Sequence, residues 1–144
     1  MSKILLFSDL HCHMHKNQLS RLEDCLQVLE WVFETAIAKG IKTIVFAGDL
    51  FQDRQKIHVI SYEKTFKLIQ KYCGWLDKKP DTTLYLLVGN HDMWIFDYLP
   101  KECGVQLHRE PIVREWNGKR FYIGHGDGLG PGDYGYKFIK KVFA

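Results

Sequence analysis

Residues 83–92 run Thr83, Leu84, Tyr85, Leu86, Leu87, Val88, Gly89, Asn90, His91, Asp92: an apolar stretch that stops on Gly-Asn-His-Asp. So short an apolar run, cut off by glycine, reads as a strand buried on both faces, as in a parallel sheet between layers. The same pattern occurs twice upstream. Residues 3–8 are largely apolar and end on Asp9, Leu10 and His11, and residues 43–47 end on Gly48 and Asp49. Between these runs the period changes to that of a helix. Leu22, Cys25, Leu26, Leu29, Val32, Phe33, Ala36 and Ile37 form one apolar face, with Ser20 to Glu23 as a capping box and Gly40 as the stop. A second amphipathic helix is expected over residues 60–73. The first ninety residues therefore read β-α-β-α-β, which requires parallel strands and right-handed crossovers. The fold class is α/β.

The pattern changes after residue 100. Residues 112–116, then Asn117 and Gly118, then residues 119–123 form a hairpin signature with a type I′ turn. Six glycines follow (Gly124, Gly126, Gly128, Gly130, Gly132 and Gly135), around His125 and Asp127. Such a segment is either backbone folded tightly around a site or a flexible linker. A short helix is expected from about Tyr134.

At 144 residues the chain has the length of one domain, and its 46% hydrophobic content fits a packed core. The net charge of +3 is too small to announce a nucleic-acid binder. Cys12, Cys25, Cys73 and Cys103 form no Cys-x-x-Cys pair, so free thiols in a reducing compartment are expected rather than a zinc knuckle. No export signal or membrane span is expected either, since no apolar run approaches ~18 residues.

Asp9 with His11, Asp49, Asn90 with His91 and Asp92, and His125 each follow an apolar run. In open α/β sheets ligands bind outside the carboxyl ends of the strands, so these residues should converge on one crevice. Oxygen and imidazole donors in this mixture suit Mn, Fe, Zn or Co. Any one of the motifs alone is as well explained by a turn or an N-cap. Four of them in order are not.

The series D-x-H, G-D, G-N-H-D, G-H resembles that of the calcineurin-like metallophosphoesterases over residues 3–127. The resemblance implies a sandwich of mixed sheets flanked by helices, with residues 1–144 as a single domain incomplete at its C-terminus. It implies two divalent metal ions, Mn2+ first among them. Asp9 and His11 would hold one, Asn90 and His125 the other, and Asp49 would bridge the pair. His91 would be the catalytic group facing the phosphate, with Asp92 orienting its imidazole. The family's closing G-H-x-H motif has no counterpart after His125, which would leave each metal one ligand short. His13 and His15 are expected to be solvated loop residues, and His58 and His108 surface residues.

The two halves resemble different branches. Residues 1–88, with Ser8-Asp9-Leu10-His11 and Ala47-Gly48-Asp49-Leu50-Phe51-Gln52, look like the phage and DNA-repair exonucleases. From Gly89 on, the motif G-N-H-D-M-W-I-F-D-Y and the later G-H-G-D-G-L-G-P-G-D-Y are similar to UDP-2,3-diacylglucosamine pyrophosphohydrolases of lipid A synthesis. The expected activity is metal-dependent hydrolysis of a phosphoanhydride or phosphodiester by activated water. The expected partner is a nucleotide-lipid, and the expected location is cytoplasmic, at the periphery of the inner membrane. A DNA exonuclease and an inactive fragment of the fold are the alternatives, with nucleic acid as partner under the first. On a helical wheel of residues 134–143, Lys137, Lys140 and Lys141 share one arc and Tyr134, Phe138, Ile139, Val142 and Phe143 the other. Such a helix either contacts an anionic membrane surface or packs its apolar side on the sheet.

Overall fold

Alternation of side chains along the central strands divides the interior in two. The computed structural model describes residues 3–54, 56, 58–77, 82–127, 131 and 134–143, without the side chains of residues 74–77, 136, 139–141 and 143. Strands β1 (Ile4–Phe7), β2 (Thr43–Phe46), β3 (Thr83–Leu87) and β4 (Gln106–His108) form a parallel sheet in the order β1-β2-β3-β4. Helices α1 (Leu19–Ala38), α2 (Val59–Asp77) and α3 (Tyr98–Cys103) connect them. Ile44, Phe46, Leu84 and Leu86 point to one face, where they join Leu22, Leu29, Phe33, Phe66, Ile69 and Leu99 in the larger core. Val45 and Leu87 point to the other, where they meet Ile112. That second face is covered by an antiparallel hairpin, β5 (Ile112–Trp116) and β6 (Lys119–Ile123). Helix α4 (Tyr134–Phe143) closes the description.

The α/β reading and the hairpin are observed. The turn has Asn117 at φ 54° and Gly118 at φ 71°, the two positive angles that a type I′ turn demands. Elsewhere the structure corrects the expectation. Helix α1 begins at Leu19 with Gln18 as N-cap and no side-chain cap, so the box of Ser20 and Glu23 does not form. Strand β1 is not buried on both faces, because Leu6 is 59% exposed. The cause is position: β1 is an edge strand, and the hairpin packs over Val45 and Leu87 nearer the middle of the sheet. Helix α3 and strand β4 have only six and three residues, too few for periodicity to show. Pro100 is tolerated in α3 because it lies in the first turn, where its missing N–H has no partner to lose. None of the four cysteines is in a disulfide, and all four are buried.

The two faces of the sheet differ in what they hold, and this can be measured. Ile44 is fully buried in the main core, so Ile44→Ala should cost about 2–5 kcal/mol in urea denaturation. Leu6→Ser on the uncovered face should change stability by less than about 0.5 kcal/mol. Equal losses at the two positions would mean that the second face of β1 is covered.

Candidate metal centre

The loops after β1 and β2 stay joined by backbone hydrogen bonds beyond the ends of their strands. Asp9 N donates to Gly48 O at 2.9 Å, His11 N to Asp49 O at 3.0 Å and Cys12 N to Leu50 O at 2.8 Å. This continued pairing turns the chain sharply. Asp9, His11 and Asp49 have φ of 57°, 50° and 60°, in the left-handed region that non-glycine residues seldom occupy. Each such residue costs on the order of 1–3 kcal/mol, and strain of this kind collects at functional sites.

Two glycines let the backbones approach. A Cβ at Gly89 would lie 2.2 Å from Asp49 Oδ1, and one at Gly48, itself at φ 109°, would lie 2.7 Å from His125 Nδ1. The glycines of G-D and G-N-H-D are thus required by contact with the residues at the centre of the site.

Asp49 is that centre. Its carboxylate is almost fully buried. One oxygen, Oδ1, accepts from His91 N at 3.0 Å. The other, Oδ2, has His125 Nε2 at 3.2 Å, His11 Nε2 at 3.8 Å and His91 Nε2 at 4.0 Å. Asp9 Oδ1 lies 3.6 Å from His11 Nε2. Donor atoms of His11, Asp49 and His91 lie within 4.8 Å of one another, and so do those of Asp9, Asp49 and His125. Asp49 belongs to both groups. The structure therefore brings Asp9, His11, Asp49, Asn90, His91 and His125 into one pocket.

These donors fit a cation. His125 Nδ1 donates to Ala47 O at 2.9 Å, which leaves Nε2 as a bare acceptor. Asn90 Oδ1 lies 3.2 Å from that Nε2 and in this orientation faces acceptors only. Three acceptors, Asp49 Oδ2, His125 Nε2 and Asn90 Oδ1, thus converge with no donor among them. Turning the amide over would supply one, with its nitrogen 3.2 Å from both other atoms. That orientation also gives the amide oxygen a donor in Arg54 Nη2, whereas a divalent cation at Asp49 Oδ2 and His125 Nε2 would instead be met by the oxygen.

Asp92 does not orient His91. Its oxygens accept from Leu50 N at 2.9 Å and Phe51 N at 3.2 Å, and it is fully buried. Burial pushes its carboxyl up to about 6, against the opposing pull of those two N–H groups. The imidazole of His91 is held by the carbonyl of Gln52, which takes its Nδ1–H. The two residues are adjacent in the chain, but Asp92 turns inward to pin the loop that carries Asp49.

Arg54 was not anticipated. Its Nη2 lies 3.1 Å from His91 Nε2, at the mouth of the pocket. Being five residues past Asp49 in a polar loop, it had no strand end to mark it. Beside His125 lies a cleft of about 220 Å³, lined by Val88, His108, Arg109, Tyr122 and Asp127 among others. Arg109 donates to Met93 O at 3.2 Å and Ile95 O at 2.6 Å, tying the loop after G-N-H-D to the end of β4. His108 is not a surface residue. It sits in β4 with Nε2 buried and its ring stacked 5.8 Å from Tyr85. His58 is exposed, and His13 contacts the carbonyl of His11 through Nδ1 at 2.7 Å. Of the glycine-rich segment, residues 128–130 and 132–133 lie outside the described residues.

The profile of the calcineurin-like phosphoesterases matches residues 2–141. The chain belongs to that family. Among curated proteins, this phosphoesterase chain is 33% identical over 86 residues to a UDP-2,3-diacylglucosamine hydrolase of Porphyromonas gingivalis, covering 60% of this chain and 32% of that protein. It is 29% identical over 141 residues to the protein of the same name from Pseudomonas putida KT2440, covering 96% of this chain and 54% of that one. It thus spans about half the length of that relative. Among solved structures, a protein of unknown function from Aquifex aeolicus aligns with a TM-score of 0.53 at 20% identity, over 97% of this chain and 69% of that one. That likeness speaks for the fold alone.

The altered place of Asp92 makes a prediction. Asp92→Asn turns an amide donor, or a single remaining acceptor, toward two buried N–H groups and should cost about 1–3 kcal/mol. Uptake of divalent metal should weaken with it, because the loop behind Asp49 loosens. Denaturation and titration calorimetry with Mn2+ read the two effects. A variant that keeps full stability and full metal affinity would show that the Leu50 and Phe51 contacts do not hold the site.

Proposed function

We propose that this chain is a dinuclear-metal phosphoesterase domain over residues 1–144 that hydrolyses the pyrophosphate of UDP-2,3-diacylglucosamine. The observation that carries the metal reading is the place of Asp49, the one residue common to both groups of donor atoms. In this reading Asp9 and His11 would hold one ion and Asn90 and His125 the other, with Asp49 shared, whereas the donor atoms as they lie group His11 with His91 and Asp9 with His125 about Asp49. Divalent ions so placed, with manganese the first choice, supply Lewis-acid charge to a phosphoryl oxygen and make water a nucleophile near neutral pH. The chain's own groups do the rest. Gln52 O fixes His91 with Nε2 toward the pocket. Arg54, exposed at the mouth beside that nitrogen, takes a phosphate oxygen of the substrate and frees His91 to act on the leaving oxygen. The Ala47 carbonyl keeps His125 in the tautomer that presents Nε2.

The choice of substrate is supported by the names of the two relatives described above and by the resemblance of the region after Gly89. It carries with it a cytoplasmic location at the inner membrane, where a nucleotide-lipid is presented.

Two variants separate the roles. His91→Ala should lower turnover about 100- to 10,000-fold while metal content stays. Asp49→Ala should lose metal and turnover together. Equal metal loss in both would make His91 a ligand. Assays with Mn2+ on UDP-2,3-diacylglucosamine, on a small activated phosphodiester and on single-stranded DNA test the substrate. Preference for the nucleotide-lipid is expected. Efficient cutting of DNA would assign the site to a nuclease, and no hydrolysis by metal-loaded protein would leave a binding module.

A further inference from the structure

The segment from Gly89 to Asp97 carries Asn90 and His91 into the pocket, yet it belongs to no helix or strand. Its backbone carbonyls therefore need partners that no ladder supplies. Two find them inside the segment: Gly89 O accepts from Asp92 N at 3.1 Å, and Asp92 O from Ile95 N at 2.8 Å. Three more are taken by side chains. Trp94 Nε1 donates to His91 O at 3.0 Å, and Arg109 donates to Met93 O at 3.2 Å and to Ile95 O at 2.6 Å. One guanidinium, just past the end of β4, stands in for a missing strand.

Arg109 is committed to this segment in a second way. Its Cζ lies 5.3 Å from the centre of the Phe96 ring, so both Nη atoms and one face of the group are engaged by residues 93–96. Arg54 is different. It is exposed, with Nη2 3.1 Å from His91 Nε2 at the mouth of the pocket. One arginine thus faces the side from which a phosphate would come, and the other grips the chain that follows His91. The planar fork matters for the second task, because it reaches two carbonyls at once, whereas a lysine ammonium is a single point charge. Trp94, whose ring lies 5.1 Å from that of Phe51, ties the same stretch to the main core. A reacting group moved by about 1 Å can lose on the order of 100-fold in rate, so the hold on this loop bears on the chemistry.

We infer that Arg109 is a positioning residue: its clamp on the carbonyls of Met93 and Ile95 sets where the loop places His91 and Asn90, and it does not itself bind the phosphate. The effect on rate rests on the role proposed above for His91. The clamp does not.

Two variants test it. Arg109→Lys keeps the charge and loses the fork, and Arg109→Ala loses both. On a small activated phosphodiester with Mn2+, each should lower kcat about 10- to 100-fold while KM stays nearly constant. Rates are referred to protein that still takes up Mn2+ in calorimetric titration, which removes any loss through unfolding. Methylguanidinium added to Arg109→Ala should restore part of the lost kcat. Amide hydrogen exchange should quicken over residues 91–97 in both variants and stay unchanged in β2 and β3. Unaltered exchange over 91–97 would overturn the inference. So would a KM that rises at constant kcat, which would make Arg109 a phosphate contact, or full activity in Arg109→Lys, which would make charge alone sufficient. If the unmodified protein hydrolyses nothing, the reading of His91 fails, and the exchange result still decides for or against the clamp.

Discussion

A single carboxylate, that of Asp49, is the point on which this site depends. A buried charge is expensive unless it is paired or bound to metal. Asp49 receives one conventional hydrogen bond, from His91 N, and turns its other oxygen toward three imidazoles. Everything nearby keeps it there. The loop after β2 adopts a left-handed turn at Asp49, Gly89 leaves room for the carboxylate, and Asp92 fastens Leu50 and Phe51 just behind it. Burial, with the nearby Asp49 carboxylate as a lesser contribution, raises the carboxyl of Asp92 on the neighbouring loop to about 6. Positive charge in the pocket would relieve that cost.

The backbone bonds between loops explain how the strain persists. Three N–H groups on the β1 loop, those of Asp9, His11 and Cys12, find carbonyls on the β2 loop, so the two segments behave as an extension of the parallel pair. Backbone bonding of this kind orders the chain without regard to side chains. The side chains are then free to serve as donors to a ligand, because the turns that aim them are stabilised independently.

Much of this was legible from sequence, for an identifiable reason. Strand-end motifs name their own donors, so Asp9, His11, Asp49, Asn90, His91 and His125 could be expected to meet, and they do lie in one pocket. The hairpin was equally legible, since Asn117 and Gly118 meet a strict φ requirement. What could not be read were the roles taken by carbonyls. Ala47 O and Gln52 O orient the two histidines, and a carbonyl leaves no mark in the side-chain alphabet. Asp92 was assigned the neighbour it has in the chain, whereas its contacts lie some forty residues away. Arg54 reaches His91 across a turn whose geometry depends on the fold already being in place.

All the donors but His125, which follows β6, hang on the loops of the central strands, supported by the larger core and stitched by backbone. The cleft beside His125 adjoins the hairpin, which is attached through a small cluster of Val45, Leu87 and Ile112. A change in that periphery can alter what is bound without moving Asp49. A change at Gly48 or Gly89 cannot, because a single added carbon at either position would strike a residue of the pocket. On the substrate proposed above, the loop side would fix the kind of reaction and the hairpin side would choose the ester brought to it. This is the physical sense in which a fold specifies a reaction class more tightly than a substrate.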